Sequence, residues 1–142
     1  MSSRPSSKRR SQGATPRREL RFVVVFANVR AFVARKVPAL AGVTWRGCPG
    51  VRAGMRGTGR ARSFAHVGHV RKTICVADAI ASLPLPFLVG ILLHEFGHAA
   101  GNRSDLAADR WVFEKLGILI EYRSSLRLEW VSPKTIRAMR AV

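Results

Sequence analysis

The stretch ILLHEFGHAAGNRSDLAADRWVFEKLGI, residues 91–118, decides how this chain is read. It carries His94, His98, Glu95, Asp105, Asp109 and Glu114 in a protein with 8 acidic residues against 25 lysines and arginines. Such a concentration marks either a solvated helical hairpin or a metal site, and helix geometry separates the two. His94 and His98 are four residues apart, so on a helix their imidazoles leave one face about one turn apart. Glu95 is rotated from His94 by about 100° around the axis. Leu88, Val89, Leu92, Leu93, Phe96, Ala99 and Ala100 cover the rest of the circumference, and a helix apolar nearly all round is a buried one. Burying two imidazoles and a carboxylate without partners is costly. A shared metal ion removes that cost. Gly90, Gly97 and Gly101 flank the histidine face and leave room for another backbone or a ligand.

Residues 94–98, HEFGH, therefore form an HExxH arrangement, with two zinc ligands and a general base from one helical turn. A third ligand is needed, and the following segment offers Asp105 and Asp109 on one helical face. In a plain antiparallel hairpin turning at residues 101–104, Asp109 comes level with the histidines. A sharper bend at Gly101 would let Asp105 reach instead.

Around this pair the sequence predicts a small α+β domain over residues 20–142. Val23–Val25 read as a strand, followed by a helix on the spacing of Val29, Phe32 and Val33. Residues 42–62 are rich in Gly and Arg and read as loops and short hairpins. RKTICVADAI holds a strand around Thr73–Val76. Pro86 suits the first turn of a helix running through Ala100, which Gly101 and Asn102 stop. Ser104 caps a second helix from Asp105 to about Leu116. GILIEYR and SLRLEWV alternate as a hairpin turning near Ser124 and Ser125, and Ser132 with Pro133 opens a last helix.

The net charge of +17 is uneven, since Glu19 is the single acid before Asp78. Residues 1–19 have too little apolar area to order and read as a disordered basic tail. Weak, non-specific nucleic-acid binding through that tail is expected. The apolar run AIASLPLPFLVGILL is too short to span a bilayer and contains Pro84 and Pro86. The basic start has no clean cleavage site after it. With only Cys48 and Cys75, a reducing, cytoplasmic setting is expected, with a single bridge between them the alternative.

HEFGH and the downstream DLAADRW resemble the zincin metallopeptidases, and within them the gluzincin branch with its ExxxD helix. The pattern is similar to that of the HtpX-type peptidases and the ImmA/IrrE-type proteins of phages and mobile elements, over about residues 91–118. The resemblance implies a zincin-like α+β domain, with an HExxH helix, a ligand-bearing helix and a small sheet. It implies Zn2+ held by His94, His98 and Asp105, with Asp109 as the supporting carboxylate. Two departures stand out: the first acid is Asp rather than Glu, and it follows His98 more closely than in those families. The expected activity is zinc-dependent hydrolysis of peptide bonds in a peptide or protein substrate, with Glu95 as general base on water at the zinc. By the same resemblance an extended peptide pairs with an edge strand, for which RKTICVA is the candidate, and Tyr122 can polarise the substrate carbonyl. The alternative is a non-catalytic, zinc-stabilised regulatory or nucleic-acid-binding protein. Glu121 and His69 are reserve ligands, and His66 with His69 would form a second metal pair only on a turn or helix.

Overall fold

The computed structural model describes residues 16–47, 64–67 and 72–141. It is a small α+β protein with four helices and two small sheets among those residues. The helices are α1 (Pro16–Lys36), α2 (Leu85–Ala99), α3 (Asp105–Trp111) and α4 (Pro133–Ala141). The strands are β1 (Thr44–Gly47), β2 (Ala65–Val67), β3 (Thr73–Val76), β4 (Glu121–Arg123) and β5 (Leu128–Trp130). Among the described residues no helix is long and apolar enough to cross a membrane.

The sequence reading of Val23–Val25 as a strand is overturned. These residues lie inside α1, whose buried face is Phe22, Phe26, Val29 and Val33. That spacing of four, three and four is helical, and it outweighs the local β preference of three valines. Val23 and Val24 point outward. Because α1 begins at Pro16, residues 16–19 are helical rather than part of a tail, and residues 1–15 lie outside the described residues. Part of the basic surplus has structural work here. The Arg21 guanidinium donates to the carbonyls of Ala81 and Leu83 at 3.1 and 3.0 Å, and Arg30 donates to that of Val43 at 3.0 Å.

The first sheet has the order β1-β3-β2, with β1 parallel and β2 antiparallel to β3. Part of the segment read as loops is thus a strand, β1, while residues 48–62 lie outside the described residues. β3 matches its expected span but is central, with both edges occupied. RKTICVA is therefore no free edge for a peptide. Cys75 on β3 is a buried free thiol, and Cys48 lies outside the described residues.

α2 runs through the middle. Every residue from Leu88 to Gly97 is buried, and α1, α3, β2, β3 and β5 all pack on it. Phe26 and Phe96 meet with ring centroids 5.8 Å apart. Two glycines set how closely the neighbours approach. A Cβ on Gly90 would lie 2.7 Å from the Glu129 carbonyl carbon and the Trp130 amide nitrogen, and one on Gly97 would lie 2.7 Å from the Ala108 carbonyl oxygen. Both obstacles are backbone, so they cannot swing aside.

Gly97→Ala tests this packing. Alanine is favoured over glycine in a helix by about 1 kcal/mol, yet pushing α3 away should outweigh it and destabilise the fold by about 1–3 kcal/mol. Chemical denaturation of the metal-free protein checks the sign. A more stable variant would show that α2 and α3 do not touch there.

Candidate metal centre

The site is built where α2 ends and α3 returns across it. Gly101, at φ 112°, turns the chain. Ser104 caps α3 as expected, its Oγ accepting the Ala107 amide at 3.0 Å. With the backbones in contact at Gly97, the first residue of α3 falls beside both imidazoles. Asp105 Oδ1 lies 3.2 Å from His94 Nε2 and 3.1 Å from His98 Nε2, and the two Nε2 atoms are 3.1 Å apart.

The other ring nitrogens decide where the protons sit. His94 Nδ1 is 2.6 Å from Asp109 Oδ1, and His98 Nδ1 is 2.7 Å from the Asn102 carbonyl oxygen. A carbonyl or carboxylate oxygen only accepts, so each neutral ring carries its proton on Nδ1 and turns a bare Nε2 lone pair inward. Three electron-pair donors thus meet in a nearly equilateral triangle with sides of 3.1–3.2 Å. One proton could serve only part of it. Donors held about 2.0–2.1 Å from a tetrahedral zinc stand about 3.3 Å apart, so the triangle has the size such an ion requires.

The surroundings favour positive charge. His94 is only 3% exposed. Burial opposes charge on its ring, but the Asp109 hydrogen bond and the carboxylates of Glu95, Glu129 and Asp109 outweigh it and push the pKa up to about 9, so in the metal-free chain Nε2 holds a proton whose place a bound cation would take. Glu95 is buried beside the histidines, and one donor atom from each of His94, Glu95 and His98 lies within 4.8 Å of the others. His98 and Asp105, at 18% and 47% side-chain exposure, open the triangle to solvent on one side.

The β4–β5 hairpin closes another side. Tyr122 and Glu129 are directly paired across it and so share a face. The Tyr122 hydroxyl donates to Asp109 Oδ2 at 2.5 Å, so Asp109 receives both the phenol and the His94 Nδ1–H. Burial first, and then that hydrogen bond, raise the phenol pKa. Glu129 Oε2 lies 3.7 Å from His94 Nε2. Burial raises the Glu129 pKa, against the lowering effect of the His94 ring.

Sequence reasoning missed Glu129 because of register. A two-residue turn at Ser124 and Ser125 would set Tyr122 opposite Arg127. The actual turn takes four residues, with positive φ at Ser124 and Arg127, and brings Glu129 into that place. The reserve ligands are not drawn in. Glu121 pairs with Arg123 at 3.1 Å, and His69 lies outside the described residues. His66 lies on β2, not on the turn or helix that a second metal pair would need.

Compared with protein-family models, curated proteins and solved structures, the chain matches none.

Tyr122 is the only tyrosine, so its ionisation can be followed directly by absorbance. The hydrogen bond to Asp109 holds the neutral phenol, so ionisation should begin above the ordinary value of about 10. Asp109→Asn should bring the midpoint down. A wild-type midpoint at the ordinary value would show that the contact does not form.

Proposed function

We propose that this chain is a zinc-dependent metallopeptidase with a small zincin-like domain, acting on a peptide or protein substrate. The observation that carries the reading is the triangle of His94 Nε2, His98 Nε2 and Asp105 Oδ1, with Glu95 one residue from the first of them. A zinc ion there would polarise a peptide carbonyl and bring the pKa of an attacking water to about 7. The chain's own groups do the rest. Glu95 accepts the proton of the attacking water and hands it to the leaving amine as the C–N bond breaks. Asp109 keeps the His94 proton on Nδ1 and orients the ring, and Tyr122 fixes Asp109 in turn. Since both edges of β3 are taken, the extended substrate is assigned to β2, an edge strand among the described residues that packs on α2. The buried free thiol of Cys75 suits a reducing, cytoplasmic setting.

The purified protein should contain one zinc per chain, and His94→Ala, His98→Ala or Asp105→Ala should lose it. Asp109→Asn should retain zinc with affinity weakened about 10–100-fold. Glu95→Gln should keep zinc and fold but no longer cleave a peptide library, because an amide cannot take the proton. Zinc content unchanged in the histidine variants would overturn the site, and full cleavage by Glu95→Gln would overturn the mechanism.

A further inference from the structure

Glu129 is the one acid at the centre that the proposed hydrolysis leaves unused, and its position is tightly set. Its backbone rests on Gly90, one turn before His94, and Val131, just past the end of β5, donates its amide to the Pro86 carbonyl at 3.0 Å. The side chain is 18% exposed, and Oε2 stands 3.7 Å from His94 Nε2. That nitrogen is the one whose lone pair faces inward, since Asp109 holds the proton on Nδ1. A carboxylate oxygen and an inward lone pair sit together only with a cation between them, a proton in the metal-free chain or a metal ion in its place. Asp105 Oδ1 approaches the same nitrogen at 3.2 Å. Two anionic oxygens from separate elements therefore flank one inward lone pair, at spacings near the about 3.3 Å between donors of a tetrahedral ion.

We propose that Glu129 is a fourth protein donor to the metal ion, completing a set of two imidazole nitrogens from α2, one oxygen from α3 and one from β5. The inference rests on the reading of the triangle as a metal site. Nitrogen and carboxylate donors together suit zinc among the common divalent ions. The ion would then tie the hairpin to the two helices, with a fifth position open to the attacking water.

Glu129→Gln, close in shape but a poor ligand, and Glu129→Ala test this in the full chain. Zinc affinity is measured by competition with a chelator, and coordination by the visible absorption of the cobalt-loaded protein. Both variants should bind zinc more than about 100-fold more weakly, beyond the 10–100-fold typical of a residue that only orients a ligand. Their cobalt spectra should differ from wild type. Metal-free unfolding of Glu129→Gln should match wild type, which separates loss of a ligand from loss of fold. A cobalt spectrum unchanged in both variants overturns the proposal, whatever the affinity, and leaves the three-donor site standing. A wild-type chain that takes up neither zinc nor cobalt overturns both.

Discussion

The two nitrogens of His94 must be satisfied in the interior of a helix that is otherwise apolar and buried, and much of the structure follows from that demand. Asp109 takes one nitrogen; the other faces His98, Asp105 and Glu129. Each of those groups comes from a different place in the chain, and each is held by an interaction of its own. Asn102 anchors His98, the Ser104 cap sets the start of α3, and Tyr122 grips Asp109. Charged and polar groups are affordable at this depth only as a connected set.

Glycine makes that set possible. Gly90 and Gly97 are two turns apart on α2, and each admits a neighbouring backbone where a methyl group would collide. Through Gly97 α3 comes near enough for an aspartate, with its short reach, to touch both imidazoles. Through Gly90 β5 comes near enough for Glu129 to face His94. The short reach of Asp105 is thus matched by the close approach of α3 at Gly97, which supports its proposed ligand role. The acids gather here in a chain of charge +17, and several arginines elsewhere spend their charge on backbone carbonyls.

Signals that act over a few residues were legible in the sequence. Pro86, Ser104 and Pro133 fall at helix starts, and Gly101 turns the chain after α2, as those residue types require locally. β3 lies where its β-branched run placed it. The reading of Val23–Val25 went astray because a local preference was set against a longer helical pattern that only a core could reward. The edge-strand expectation for RKTICVA went astray because strand order is not written in any one strand. β1 pairs with β3 across a gap of more than twenty residues.

The sequence by itself determined that His94, Glu95 and His98 share one buried helical turn, because helix period and apolar surroundings are properties of neighbouring residues. Only the tertiary structure decided which acids meet them. The plain hairpin register favoured Asp109 beside the histidines, but the turn at Gly101 and the contact at Gly97 set Asp105 against both Nε2 atoms and Asp109 against Nδ1. Glu129 arrived by a four-residue turn that shifts the strand register by two. Helix approach and strand register are settled by backbone contacts between distant segments, and a shift of one residue in either exchanges one carboxylate for another side chain.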